Sequence, residues 1–439
     1  MTDQQHHRNV LIVAYYFPPM GLSGVQRTAK FTKYLSRFGW NPTVLTVEPG
    51  GYYAFDESLL REVEEAAVSV VRTGSLDANR FLRKRGVVRM PSEWVRRFFS
   101  FWGDFFFIPD TKIGWRRKAI TAGKMLLQKR KFDAIVATAP PQTDFLIGVE
   151  LAKLAGVPLL LDYRDAWIDY PFKYFPTPLH SWLHRRMERR VLKKADKVVV
   201  THRKLKEQLL RRHPRFGYND VSILSQGYDQ EDFENQRVQS SKDALTIVHA
   251  GTFYGGRTPV VLFKALSLLL HRRPELRQRI RVRLLGAARR QDIRSARRWE
   301  VGDIVAFEGY VEHRACVGAM MSSDVLWYVI DNDQQSPGKL YEYFAAGRTI
   351  LGSVAEGYTK QLLQESPAAV CVDIGDTAGL ILALEKLVEQ KMQGTLPKTP
   401  RAFAERFERL KLTGELAKHL EHLMEFDRGE IKRLRTEDV

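Results

Sequence analysis

Short apolar runs that close on turn residues and hand over to amphipathic stretches recur along the whole chain. This alternation constrains the fold more than any other feature. Residues 10–15 are unbroken apolar sequence, which a strand tolerates only when both faces of its sheet are covered. A turn, Gly21-Leu22-Ser23-Gly24, follows. Apolar residues then recur at Ala29, Phe31, Tyr34, Leu35 and Phe38 and stop at Gly39, the pattern of a helix with a C-terminal glycine. Residues 41–47 make the next strand, which completes a βαβ unit. Further strands are expected at 134–138, 158–162, 197–201 and 221–224, with helices at 143–155 and 182–194 between them. Residues 228–243 are polar and read as a linker. Beyond them a second alternating set begins at 245–249 and runs through a helix at 260–270 and strands at 281–285, 304–308, 325–330 and 349–354. Such alternation predicts an α/β protein of two doubly wound parallel sheets. The expected domains are 1–228, with an insertion at about 50–130, then 244–400, and C-terminal helices at 401–439.

Charge separates function classes further. The 439 residues carry a formal net charge of +18. Residues 80–131 hold 15 Lys and Arg against 3 Asp and Glu, and residues 181–215 hold 13 against 3, so the rest of the chain is close to neutral. Basic blocks attract polyanions. The first block is also rich in aromatics. Trp94, Arg96, Arg97 and Trp102 are candidates for a surface facing an anionic membrane, since aromatics interrupted by arginines suit a helix lying in the headgroup layer. No run approaches the ~18–20 apolar residues of a membrane-spanning helix, and the start does not read as a secretory signal. Two cysteines exclude a disulfide framework and point to a reducing cytosol, so the expected location is cytoplasmic and peripheral to a membrane. A nucleic-acid partner is not expected, because no known reading module accompanies the charge.

Four stretches carry candidate chemistry. The Gly21–Gly24 turn leads into a helix start whose unpaired amides suit an anion. Asp162-Tyr163-Arg164-Asp165 stands at the carboxyl end of a strand, where open α/β sheets bind ligands. Ala250 to Pro259 is a glycine-rich loop with one arginine, Arg257, suited to leaving-group phosphate. Ser336-Pro337-Gly338-Lys339 opens a helix that closes at Gly347. Ser336 suits the cap and Pro337 the first turn, and Lys339 and Glu342 share a face three residues apart. A diphosphate on Lys339 and a ribose on Glu342 would fit one nucleotide. A nicotinamide-dependent oxidoreductase is the weaker alternative, because the first turn lacks the GxGxxG pattern.

VLIVAYYFPPMGLSGVQRTAKF, PLLLDYRDAW, AGTFYGGRTP and SPGKLYEYFAAGRTIL, in that order, resemble family 4 of the GT-B glycosyltransferases. The resemblance implies two Rossmann-like domains facing a central cleft, with the last helix crossing back to the first domain. It implies transfer from a nucleotide-diphosphate sugar with retained configuration, no cofactor and no metal. The acceptor would be a lipid-linked or cell-surface glycan precursor. Gly24 matches the glycine loop near donor phosphate and acceptor. Glu342 matches the second of the family's paired glutamates, and Gly338 and Lys339 precede it on the helix facing the diphosphate. Gln334 stands where the first glutamate falls, with Asp333 the nearest carboxylate. Thr252 stands where an arginine is usual, which leaves Arg257 to substitute. DYRDAW replaces a usual histidine, so Asp162 and Asp165 are the candidate acceptor-polarising acids. An inactive partner subunit of the same family is the alternative that the missing glutamate keeps open.

Overall fold

The computed structural model describes residues 7–21, 23–52, 55–77, 86–87, 101–171, 173–234, 236, 238–239, 241, 243–253, 256–333 and 338–425. The chain divides into two compact units. One comprises residues 1–226, 334–336 and 409–439, and the other 227–333 and 337–408.

The first unit runs β1 (Arg8–Val13), α1 (Ser23–Leu35), β2 (Trp40–Val47), β3 (Gly51–Tyr52), α2 (Glu57–Glu65), β4 (Ser69–Thr73), β5 (Gly86–Val87), α3 (Arg116–Lys129), β6 (Ala134–Ala139), α4 (Thr143–Ala155), β7 (Leu159–Tyr163), α5 (Pro178–Leu192), β8 (Lys197–Val200), α6 (Arg203–Arg212) and β9 (Val221–Ile223). Seven strands form a sheet in the order β4-β2-β1-β6-β7-β8-β9. Every pairing in it is parallel. β3 and β5 make a separate two-stranded pair.

The continuous apolar run of β1 has its reason here. Leu11 and Val13 enter the core on one face, and Val10 and Ile12 enter the core on the other. Helix α1 lies almost wholly buried, and the chain leaves it through Gly39 at φ +75°, a left-handed position that favours glycine.

The second unit runs β10 (Leu245–Ala250), α7 (Val260–Arg272), β11 (Ile280–Leu285), α8 (Arg290–Arg298), β12 (Val305–Gly309), α9 (His313–Met321), β13 (Val325–Ile330), α10 (Gly338–Ala345), β14 (Thr349–Val354), α11 (Tyr358–Gln364), β15 (Ala369–Asp373), α12 (Thr377–Gln393) and α13 (Arg401–Ala404). Its six-stranded sheet has the order β12-β11-β10-β13-β14-β15, again all parallel. The last helix, α14 (Arg409–Glu425), returns to the first unit. Its Leu412, Leu416, Leu420 and Leu423 join the core that holds Ala29, Phe31 and Leu35 of α1.

Three expectations change. The 50–130 stretch is not one insertion, because α2, β4 and α3 are regular parts of the first unit. β4 escapes sequence reading because it is an edge strand, only partly buried along most of its length, so its apolar pattern is weak. The 228–243 stretch is not wholly a linker either. Tyr228 and Phe233 are buried in the second unit's core with their rings 5.6 Å apart, edge to face. Finally, 401–408 stays with the second unit, and only the part from Arg409 onward belongs to the first.

Candidate functional site

In each sheet the strand order reverses once, between β1 and β6 and between β10 and β13. Ligands of open α/β sheets bind outside the carboxyl ends of strands at such a switch point.

In the second unit the switch point gathers the loop after β10, the loop after β13 and the start of α10. Gly251 and Gly286 let two backbones meet there, and a Cβ at Gly286 (φ +135°) would fall on the Gly251 carbonyl. The Thr252 hydroxyl accepts from the Ala287 amide at 3.2 Å. The Arg257 Nε lies 3.9 Å from Asp331, and its carbonyl accepts from Arg289, which is itself held by Asp292. Arg257, Asp331 and Asp333 are thus brought to one edge, with Asp333 packed under Gly357.

Helix α10 is set against the sheet by Tyr343. Its hydroxyl accepts from the Ala250 amide at 2.7 Å, at the end of β10. One turn earlier on the same helix, the Lys339 ammonium donates to Glu342 at 2.6 Å. Burial works against the Lys339 charge. Glu342 more than offsets this and holds the ammonium above its usual range. Glu342 is itself buried. Gly338 begins the helix with no neighbour near its Cβ position. Gln334, Ser336 and Pro337 lie outside the described residues.

Sequence reading missed His249 on β10. Its ring stacks on Phe253 at 4.3 Å, and Nδ1 donates to the Trp327 carbonyl at 2.9 Å. Burial, aided by Arg257, pushes its pKa down to about 4, so it is neutral near pH 7 and presents Nε2 as an acceptor. His313 is the opposite case. Burial lowers it, but the hydrogen bond to Asp232 at 3.0 Å, with Glu342 nearby, leaves it raised overall. A histidine inside an apolar strand was the only available signal for His249.

The first unit's switch point holds the glycine turn. Gly24 is exposed near the start of α1, and its carbonyl accepts from Arg164, which also donates to the Pro140 carbonyl. Arg164 is buried and ties the loops after β1, β6 and β7 together. Asp162 does not face a ligand. Arg27 donates to both its oxygens at 2.9–3.2 Å and Thr138 donates at 2.9 Å, all fully buried. Arg27 also donates to the Leu224 and Ser225 carbonyls. This carboxylate clamps α1 to the sheet, and the acceptor-polarising role expected for it is withdrawn. Asp165, in the loop that follows, is half-buried.

Asp144 and Asp110, not singled out in the sequence, stand beside the same loops. Asp144 accepts from the Tyr15 amide at 2.8 Å, and its Oδ1 has no hydrogen-bond partner among the described residues. Burial pushes both carboxyls up, Asp144 most. Their only sequence signal was the position of Asp144 in the first turn of a helix.

Of the residues expected to face a membrane, Trp94, Arg96 and Arg97 lie outside the described residues, while Trp102 is well exposed. Among the described residues no helix is long and apolar enough to cross a membrane.

Residues 24–221 match the family described as Glycosyl transferase 4-like domain. A D-inositol 3-phosphate glycosyltransferase from Streptomyces scabiei is 27% identical over 216 residues, which are 44% of this chain and 48% of that protein. The alignment thus spans about half the length of that relative. Among solved structures, HepE from Anabaena in complex with UDP and glucose superposes with a TM-score of 0.63 at 14% identity, over 95% of this chain and 100% of that one. A glycosyltransferase from Rickettsia africae gives 0.64 at 12% identity, over 96% and 99%. Sucrose-phosphate synthase from Thermosynechococcus elongatus gives 0.62 at 15%, over 95% and 99%. At such identities the likeness establishes the fold of two Rossmann-like domains.

Proposed function

We propose that this chain, with a glycosyl transferase 4-like domain in its first unit and the GT-B fold throughout, is a retaining glycosyltransferase. It moves a sugar from a nucleotide-diphosphate sugar to a lipid-linked or cell-surface glycan precursor of a bacterial envelope. It works in the cytoplasm, peripherally on the inner face of the plasma membrane. The observation that carries the reading is the Lys339–Glu342 pair at the start of α10, beside the second sheet's switch point. HepE, of similar fold, binds UDP and glucose, which supports a nucleotide sugar here.

In the transfer the bond from the anomeric carbon to the diphosphate breaks and a bond from an acceptor oxygen forms. The diphosphate leaves with the electron pair of the broken bond, and the acceptor oxygen's proton passes to it. Arg257, Lys339 and the outward amides of Gly338 and Lys339 stabilise that leaving charge, which is the part a metal ion plays elsewhere. Glu342 holds the ribose, and Asp333 and Thr252 border the sugar. By the family resemblance the first unit contributes Gly24 of the glycine turn, and Asp165 remains its candidate acceptor-polarising acid.

Thermal melting against UDP, GDP and NAD tests donor class. A ligand at a hundredfold excess over its Kd stabilises by about 2.7 kcal/mol, a shift of several degrees. UDP or GDP should give it and NAD should not; the reverse result overturns the reading. Turnover of nucleotide sugar should survive EDTA, and loss restored by manganese would reverse the metal-free part. Binding with no turnover would favour the inactive partner subunit suggested by Gln334.

A further inference from the structure

Helix α5 was expected only as a helix within a basic block. Placed in the fold, it has one buried side and one outward side of unusual content. His180, His184, Glu188, Val191 and Leu192 are buried. The outward side, continued by one turn, carries Arg185, Arg186, Arg189, Arg190, Lys193 and Lys194, all exposed and none in an ion pair with a described residue. Its one acid, Glu188, is buried and taken up by Arg212 and His213. Basic helix faces in soluble proteins are usually laced with acids at i,i+4, and this one has none.

The amino end of the same face is apolar. Leu179 is 60% exposed and Trp182 53%, and Arg186 covers the Trp182 ring at 5.2 Å. Next to it stands the helical stretch 101–106, joined by a hydrogen bond between the His180 ring and the Phe105 carbonyl and by the Lys173–Asp104 ion pair. It adds exposed Phe101, Trp102, Phe105 and Phe106, with Tyr174 packed on Phe101 at 5.6 Å between ring centres. Beyond α5, a hollow of about 580 Å³ is lined by residues that include Tyr170, Gln208 and Arg211, and Arg211 makes no hydrogen bond to a described residue.

Aromatic and aliphatic side chains at one end, with guanidinium groups that meet no carboxylate among the described residues running on from them, match the layered chemistry of a bilayer surface. There, Trp and Phe sit at the acyl boundary and arginines meet phosphates. A protein partner with that much apolar surface would not demand six cations in one direction. A nucleic acid would not require the exposed phenylalanines and leucine to stand beside them.

We propose that the outward face of α5, with residues 101–106 and Tyr174, is the surface by which this protein docks on an anionic phospholipid bilayer. The aromatic end enters the headgroup layer and the arginine row lies along it. This deepens the peripheral-membrane part of the proposed function by naming its surface, and it depends on neither the donor nor the sugar.

Co-sedimentation of the full chain with phosphatidylglycerol–phosphatidylcholine vesicles, against phosphatidylcholine alone, tests it. Binding should appear only with the anionic lipid and fall as salt rises. Each basic residue near such a surface is worth roughly fivefold in partitioning. Replacing Arg185, Arg186, Arg189 and Arg190 by Glu should therefore weaken binding by more than a hundredfold. The same charge change at Arg290, Arg294, Arg297 and Arg298 of α8 should leave it nearly intact. Phe106→Ser with Trp182→Ser should weaken binding as well, and decides the matter if the fourfold reversal shifts the melting temperature and so fails to fold. No binding to anionic vesicles at low salt, or equal loss from the α5 and α8 reversals, overturns the proposal. Nucleotide-sugar turnover with a soluble acceptor, measured on the same variants, stands or falls separately and reports on the sugar-transfer reading alone.

Discussion

Glu342 is the residue on which the nucleotide reading turns. It is buried, it pairs with Lys339 at 2.6 Å, and it stands on a helix that the neighbouring Tyr343 ties to the sheet. Charge-assisted bonds to a ribose are worth about 1.5–3 kcal/mol. Glu342→Ala should therefore lower donor affinity roughly 10- to 150-fold by calorimetry. Folding should persist, because the partly exposed Lys339 side chain can turn to water. Unchanged affinity would remove Glu342 from the site. A second residue-scale expectation concerns acid stability. His184 is buried, its Nδ1 accepts from the Trp167 indole at 3.0 Å, and burial pushes its pKa down to about 3. Its folded pKa lies below the unfolded value of about 6.5. On acidification the unfolded chain takes the proton first, so stability is full above about 6.5 and falls as pH drops toward 3. Between pH 7 and 5 the loss is about 2 kcal/mol for this histidine, and His249 behaves alike down to about 4. His184→Gln keeps an acceptor for the indole and removes the titration. Unfolding free energies from urea titration at pH 7 and pH 5 should then differ by about 2 kcal/mol less than in the parent. An unaltered difference would mean that His184 does not carry the effect.

At the scale of elements, α1 is held by a buried ion pair more than by its own propensity. Arg27 and Asp162 are 135 residues apart in sequence and both inaccessible. Removing one partner of such a pair strands a buried charge and costs about 3–5 kcal/mol, whereas replacing both by apolar groups is often near neutral. Arg27→Met should lower the unfolding free energy from urea titration by that amount. Arg27→Met with Asp162→Leu should recover most of it. Failure of the double variant to recover would indicate that Asp162 does more than clamp the helix. The helices themselves were legible, since α1 and α10 follow apolar recurrence and end at glycine. β4 was not, because an edge strand buries too little to impose an apolar pattern.

At the scale of the whole molecule, the last helix completes the first unit's core from the far end of the chain. Leu416, Leu420 and Leu423 are nearly or wholly inaccessible there. Burying each such side chain stabilises by roughly 1.5–3 kcal/mol. A chain ending at Glu408 should therefore lose most or all of its cooperative unfolding transition in the first unit while the second unit's transition persists, as two-step calorimetry would reveal. A single unaltered transition would show that α14 is dispensable.

Local chemistry is written along the sequence and reads directly. Unbroken apolar runs demand sheets covered on both faces, and this alone determines two parallel α/β units. The turn after β1 and the Lys339–Glu342 spacing are likewise contacts between near neighbours, so residue spacing alone brings them together. The partner of Asp162, the paired state of Glu188 and the hydrogen bond of His249 depend on groups 24 to 135 residues away. Only packing chooses among distant partners, because the sequence offers many arginines and carbonyls of equal chemistry. The same holds for α5. Its cations are visible in the sequence, but that its single acid turns inward and leaves them unopposed beside an aromatic cluster was decided by the tertiary structure.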